Sequence, residues 1–221
     1  MEETGSNLNS SELITRVFHN DPKRRLWVVP LIDPHFEGDS LDIRLGSKFL
    51  TVFQPRYPSV DPLNIELTEV RKLLQRVELR IGESLILHPM RLLLAATLEY
   101  FSFPQDLGAS VVTRSSYGRL GLISATAIQV HPGYKGCLTL ELVNLGDTPI
   151  VFYPGLRIAQ LVVNKQAIDS RPEVTKSKYQ LSTRPEFPRM WEDKDRNIVR
   201  RLRERFEQHY RESKAEETPY F

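Results

Sequence analysis

The sequence predicts a mainly β fold, a barrel, sandwich or jelly roll with short helices and a C-terminal helix. Three observations carry that expectation. Between residues 81 and 163, short runs rich in Leu, Val, Ile, Thr and Tyr are broken by Gly and Pro at close intervals, the pattern of many strands joined by turns. Ser40-Leu41-Asp42-Ile43-Arg44-Leu45 alternates polar and apolar residues, as a half-buried strand does. Helical spacing is carried by Leu13, Ile14 and Val17 near one end and by Ile198, Val199, Leu202, Phe206 and Tyr210 near the other.

Taken in order, residues 1–8 read as a disordered stub. Ser10 or Ser11 is a candidate cap for a helix through Phe18. Leu26 to Ile32 is an apolar run closed by Asp33-Pro34. The alternating strand from Ser40 is expected to end at a turn on Gly46, with Asp42 and Arg44 sharing a face as a simple ion pair. Pro55, Pro58 and Pro62 make a loop, and Leu67 to Leu79 carries no more than a possible helical turn. The strand candidates that follow are Ser84–His88, Leu92–Phe101, Ala109–Thr113, Ile123–Val130, Cys137–Val143, Pro149–Tyr153 and Leu156–Val163. Beyond Asn164 the chain turns polar. The last helix, from about Asp195 to Tyr210, sets its apolar stripe against Arg200, Arg201, Arg203 and Arg205 mixed with acids. Those interleaved acids favour a solvated helix docking by a narrow stripe over a nucleic-acid patch. The expected organisation is therefore a stub (1–8), one domain (9–190) and a C-terminal helix with a tail (191–221).

Composition narrows the partners. The chain has 221 residues, 40% hydrophobic and 26% charged, and a net charge of only +2, so bulk electrostatics announce neither nucleic acid nor membrane. Its single cysteine, Cys137, cannot form an internal disulfide and sits among apolar residues, as a core thiol would. The polar, acidic N-terminus is unlike a secretory signal, and no apolar run approaches a membrane span, so the expected location is the cytoplasm.

The stretch that carries chemistry is Arg114-Ser115-Ser116-Tyr117-Gly118-Arg119-Leu120-Gly121-Leu122. Two guanidiniums and two serine hydroxyls lie within six residues, between two strand-like runs. A guanidinium presents a planar fork of donors to phosphate oxygens, and serine adds short donors close to the backbone. By itself such a stretch is more often a solvated turn. Its context changes that balance: Ala125 to Val130 runs into His131-Pro132-Gly133-Tyr134-Lys135-Gly136 and then Cys137 to Asn144, which reads as an antiparallel hairpin. A loop centred near Tyr134 puts Ala127 opposite Glu141. Leu138, Leu140 and Leu142 then face one side, and Thr139 and Glu141 the other. A strand carboxylate ordinarily faces water. Covered by a neighbouring subunit that brings Arg119, it would instead be desolvated beside a cation and suited to moving protons.

The opening motif, the strand containing Thr126-Ala127, the PGYKG turn and the LTLEL strand resemble, in order and spacing, those of the dCTP deaminase family, which shares its trimeric fold with dUTPases. The resemblance extends to SLDIRLGSKF (Ser40–Phe49), to residues 82–102, to YPGLRIAQLV (Tyr153–Val162) and to SKYQ (Ser177–Gln180), and covers most of residues 8–190. It implies a distorted β-barrel or jelly-roll subunit of the dUTPase-like type in a homotrimer, with sites where subunits meet. It implies hydrolytic deamination of dCTP to dUTP and ammonia without a catalytic metal, Mg²⁺ entering only with the substrate triphosphate. A zinc deaminase needs His-x-Glu and Pro-Cys-x-x-Cys, which a chain with one cysteine cannot supply.

Position by position, the resemblance makes Glu141 the general acid/base. Ser115 and the Ala127 carbonyl hold the attacking water, and Arg119 orients the glutamate. Arg114 and Ser116 contact phosphate. Gln129, His131 and Thr139 lie along the base and sugar, and Gln160 and Lys178 contact the nucleotide, Lys178 from a segment that folds over the triphosphate. Expected partners are the deoxynucleotides dCTP and dUTP, with dTTP open as an inhibitor.

The chain departs from the pattern in four places. His131 replaces an aspartate that in dUTPases activates water against the α-phosphate, which argues against a bifunctional enzyme. The segment between Leu122 and Thr126 is one residue short and lacks a histidine. Gln129 replaces a basic or apolar residue. A tyrosine ahead of Lys178 is missing, and Ser182 replaces a second glutamine. A dUTPase or bifunctional enzyme, a non-catalytic nucleotide sensor, and a deaminase of a related cytosine nucleotide stay open as alternatives.

Overall fold

A computed structural model describes residues 6–32, 36–52, 59–125, 129–167 and 179–216. In chain order the main elements are α1 (Ser10–Val17), β1 (Trp27–Val29), β2 (Phe36–Glu37), β3 (Ser40–Val52), α2 (Leu67–Leu73), β4 (Leu74–Glu78), β5 (Leu85–Leu87), β6 (Leu92–Ser102), β7 (Leu107–Thr113), α3 (Ser115–Gly118), β8 (Leu122–Ser124), β9 (Gln129–Val130), β10 (Lys135–Asn144), β11 (Ile150–Phe152), β12 (Arg157–Lys165) and α4 (Asp195–Glu216). The mainly β class is present, and each predicted strand region except Ile123–Val130 contains one strand. The chain divides into two compact units, Met1–Phe53 with Leu74–Glu186, and Gln54–Leu73 with Phe187–Phe221.

The first unit is built on a ten-stranded antiparallel sheet whose main path runs β8-β10-β6-β3-β12-β7-β9. Strand β3 is its hinge. Its first half pairs with β12 (Asp42 opposite Gln160) and its second half with β6 and β4. The expected turn at Gly46 is not there: β3 continues through it to Val52, and the β3–β6 register shifts between Leu45 and Phe49. A Cβ on Gly46 would stand 2.8 Å from the Ala96 carbonyl oxygen, so this glycine serves a close backbone approach and not a turn. Where the β10–β6 register shifts between Cys137 and Thr139, the Thr97 hydroxyl takes the Leu138 N–H (2.9 Å) and donates to the Glu99 carbonyl (2.8 Å). Leu138, Leu140 and Leu142 fill the core with Phe49, Phe101, Phe152, Ile158 and Leu161, as their alternation predicts, and Cys137 is buried.

Three local expectations are corrected and one is extended. Helix α1 is capped by Asn9 and not by Ser10 or Ser11. The Asn9 Oδ1 accepts from Glu12 N (2.9 Å) and Glu12 Oε2 accepts from Asn9 N (3.0 Å), a reciprocal box that a serine inside the helix cannot make. Residues 6–8, read as disordered, are held against β12: Leu8 N donates to Val163 O and Lys165 N to Ser6 O, with the Leu8 side chain buried. The possible helical turn between Leu67 and Leu79 is α2, and β4 follows it directly. Asp42 and Arg44 do not pair with each other. Residues two apart on a strand are roughly 6.5 Å apart along the chain, and cross-strand cations reach Asp42 first: Arg157 Nη1 stands 3.2 Å from Asp42 Oδ2 and the Arg114 guanidinium bonds the same oxygen. The Arg44 guanidinium turns to Glu99 (Nη1 to Oε1, 3.5 Å), whose Oε2 accepts from the Arg44 backbone N–H at 2.9 Å.

In the second unit, Arg196 and Arg200 of α4 donate to the Leu63 carbonyl, and Arg196 pairs with Glu66 at 2.8 Å. The helix extends to Glu216, beyond the sequence estimate. Its stripe residues Ile198, Val199, Leu202, Phe206 and Tyr210 are exposed, so among the described residues the stripe expected to dock is not buried. No helix of the described residues is long and apolar enough to cross a membrane.

Candidate active site

The Arg114–Leu122 stretch forms one helical turn between two strands. Arg114 occupies the position before α3 with extended backbone (φ −61°, ψ 135°), and its carbonyl accepts from Tyr117 N and Gly118 N. Its own N–H reaches the Ile158 carbonyl of β12 at 3.3 Å. The turn closes at Gly121, whose φ of +86° suits glycine, and a Cβ there would stand 2.4 Å from Gly146 N. Ser115, Ser116 and Arg119 are exposed, whereas Arg114 is half-buried. The sequence thus folds its hydroxyls and second guanidinium outward, where another molecule can meet them.

Beyond the turn, the expected single strand from Ile123 to Val130 is two pieces. Strand β8 pairs with β10 (Leu142 opposite Ser124), and β9 pairs with β7 (Gln129 opposite Ser110). The Thr113 hydroxyl accepts from Ser124 N at 3.0 Å and ties the end of β7 to the end of β8. The Ala125 N–H donates to the Glu141 carbonyl at 2.7 Å. Ala125, and not Ala127, therefore lies opposite Glu141. The shift is by two residues, which keeps Glu141 on its expected face because side chains alternate with period two. Ala127 lies outside the described residues.

Glu141 and Thr139 are half-buried on the face of β10 away from the leucines. Burial raises the Glu141 carboxyl above its ordinary range. A carboxyl so placed can hold or release a proton closer to neutrality than a solvated one. Gln160 lies between Asp42 and Val112 on the neighbouring strands, near the Arg114 and Arg157 guanidiniums. Arg114 and Gln160 are thus brought together around β12. Glu141 and Thr139 lie on β10, separated from β12 along the sheet by β6 and β3. Gln129 and His131 are exposed, His131 in the turn where Tyr134 N donates to its carbonyl. Lys178 lies outside the described residues. Just after it, Gln180 Oε1 accepts from Lys135 N (3.3 Å), and Leu181 N donates to Lys135 O (2.7 Å), so this segment runs along the start of β10.

Sequence reasoning missed Asp42 and Arg157 as members of this region. Asp42 is only 3% exposed and Arg157 is half-buried. The available signal was a charged residue in a strand whose other members are needed for the core, which marks a buried carboxylate that requires cations.

The described residues contain no group of three or more His, Cys, Asp or Glu able to hold a metal ion. An Mg²⁺ ion favours oxygen ligands and keeps several waters.

Comparisons with known proteins agree with this architecture. A family model described as dCTP deaminase-like matches residues 11–166. The dCTP deaminase of Halorubrum lacusprofundi is 38% identical over 192 residues, covering 84% of this chain and 92% of that protein. A dCTP deaminase described as dUMP-forming, from Mycobacterium marinum, is 40% identical over 144 residues, 64% of this chain and 73% of the relative. Among solved structures, the 2′-deoxycytidine 5′-triphosphate deaminase of Agrobacterium tumefaciens superposes with a TM-score of 0.55 at 25% identity. That match covers 73% of this chain but 47% of the other, so the chain spans about half the length of that protein. The fold is of the dCTP deaminase-like class. The chain belongs to the dCTP deaminase family.

Proposed function

We propose that this protein deaminates dCTP hydrolytically, as a homotrimer whose sites form between subunits. The half-buried Glu141 carboxyl, raised by burial on a strand of an otherwise leucine-lined core, is the observation that carries the reading. Glu141 takes a proton from water attacking C4 of cytosine, delivers it to the ring nitrogen, and assists loss of the amine as ammonia, leaving the uracil nucleotide. Ser115 and the Ala127 carbonyl hold the water, and Arg119 of an adjoining subunit keeps the glutamate ionised. The outward disposition of Ser115, Ser116 and Arg119 supports a site completed by another subunit. Arg114, Ser116, Gln160 and Lys178 bind the phosphates, with Mg²⁺ neutralising them, and Gln129, His131 and Thr139 border the base and sugar.

The test is to incubate the purified chain with dCTP and Mg²⁺ and to measure ammonia, dUTP and pyrophosphate, with dCMP, CTP and dUTP as parallel substrates. Ammonia with dUTP is the expected result. Bound dCTP left unchanged would overturn it.

A second reading, formation of dUMP with release of pyrophosphate, is favoured by relatives described as dUMP-forming, which include the proteins of Mycobacterium marinum and Methanobrevibacter smithii. His131 in place of the aspartate expected near the sugar stands against it. Pyrophosphate appearing with ammonia would select the second reading.

A further inference from the structure

We propose that Asp42 positions two guanidiniums, those of Arg114 and Arg157, as a paired clamp for the phosphate chain, and that Arg157 is a phosphate-contact residue of this chain. The clamp rests on the nucleotide-binding reading above and adds to it a residue, Arg157, and the device that aims both cations.

The geometry is specific. The Asp42 side chain is 1% exposed, and its Oδ2 receives Nη1 of Arg157 at 3.2 Å and Nη1 of Arg114. Its Oδ1 is buried without a hydrogen-bond partner among the described residues. A buried carboxylate is expensive unless cations compensate it, so Asp42 holds both arginines on one oxygen. Two guanidiniums on one carboxylate leave a net positive charge. The Arg157 side chain is 37% exposed and that of Arg114 is 21%, so the excess charge faces solvent and not the core.

Backbone pairing brings further donors to the same place. Gln160 lies directly across from Asp42, and the Arg114 N–H is bonded to the carbonyl beside Arg157, that of Ile158. The exposed hydroxyls of Ser115 and Ser116 begin one residue after Arg114. A guanidinium carries five N–H donors in a rigid fork, and Asp42 takes an Nη1 of each. Paired forks of this kind suit the adjacent oxygens of a di- or triphosphate, whose charge increases with each phosphate.

The experiment titrates dCTP, dCDP and dCMP into the full chain with Mg²⁺ by calorimetry, alongside steady-state deamination. For the wild type, affinity falls stepwise from triphosphate to monophosphate. Arg157→Gln should lower dCTP affinity roughly tenfold or more, the usual scale for losing a charged hydrogen bond, while changing dCMP affinity far less. KM for dCTP should rise by more than kcat falls. Asp42→Asn loosens both cations and should flatten the phosphate dependence further. Removing Arg157 in that background should then add little.

An Arg157→Gln protein that binds all three nucleotides as the wild type does would overturn the clamp, as would an Asp42→Asn protein that weakens dCTP and dCMP equally. Arg157 is partly exposed, so its variant remains informative if the Asp42 variant fails to fold. A wild type that binds dCTP with this phosphate dependence but releases no ammonia would sink the deaminase reading and leave the clamp standing. A wild type that deaminates, with Arg157→Gln unimpaired in binding, would do the reverse.

Discussion

The Ala125 amide donates to the Glu141 carbonyl at 2.7 Å, and this bond sets the register of the strand that carries the candidate acid/base. It presents the Glu141 side chain on the face away from Leu140 and Leu142, half-buried and with its carboxyl raised by that burial. The Glu141 carbonyl is therefore committed to the sheet.

Replacing Glu141 by Gln keeps the shape and removes the proton-carrying group. Deamination should fall by roughly 10²–10⁴-fold or more, with dCTP binding retained by calorimetry. Ammonia production within tenfold of the wild type would show that another group moves the proton.

The pH profile follows from the direction of the same shift. Glu141 must be ionised to accept a proton from water, and burial places its folded pKa above the ordinary 4.5. The acid limb of kcat/KM should accordingly have its midpoint above that value. A limb at or below 4.5 would mean that a cation in the assembled site outweighs burial. In that case Arg119→Gln should move the limb upward.

Gly121 tests the turn that aims Arg119. Alanine there meets both a positive φ of +86° and the Gly146 backbone at 2.4 Å. It should destabilise the protein by roughly 1–3 kcal/mol, read as a lower Tm. Gly118 has no positive φ and an added Cβ meets nothing within 4 Å, so Gly118→Ala should leave Tm almost unchanged. Equal Tm values for the two variants would contradict the assignment of Gly121 as the strained position.

Glu99, 2% exposed, has its carboxyl raised by burial even though it accepts from the Arg44 N–H. A raised folded pKa means that the unfolded chain gives up its proton first. The stability contributed by this group is then complete below about 4.5 and is lost as pH rises through the folded value. Glu99→Gln lacks that dependence. Chemical denaturation from pH 4 upward should therefore show the variant gaining on the wild type as pH rises. A constant difference across that window would mean that Arg44 fully compensates the burial.

Much of the strand map was readable because alternation and turn residues are local. Period alone puts Leu138, Leu140 and Leu142 in the core and Thr139 and Glu141 on the opposite face, and the structure agrees. Gly46 misled because a glycine in a strand signals a turn or a close approach equally well, and only the position of Ala96 distinguishes them. Asn9 and the adjacent serines are all capping residue types, and a reciprocal cap depends on where the helix begins, which sequence locates poorly.

By itself the sequence determined the mainly β class, the buried face of β10, the place of Glu141 on the other face, and the arginine-serine turn before β8, since each depends on neighbours in the chain. Only the tertiary structure decided that the strand after that turn splits between β10 and β7, that Ala125 faces Glu141, and that Asp42 binds Arg114 and Arg157 while Arg44 turns to Glu99. Those outcomes depend on register and on contacts between residues as many as 115 positions apart. A buried charge takes whichever partner the sheet brings within reach, and neither composition nor spacing encodes that distance.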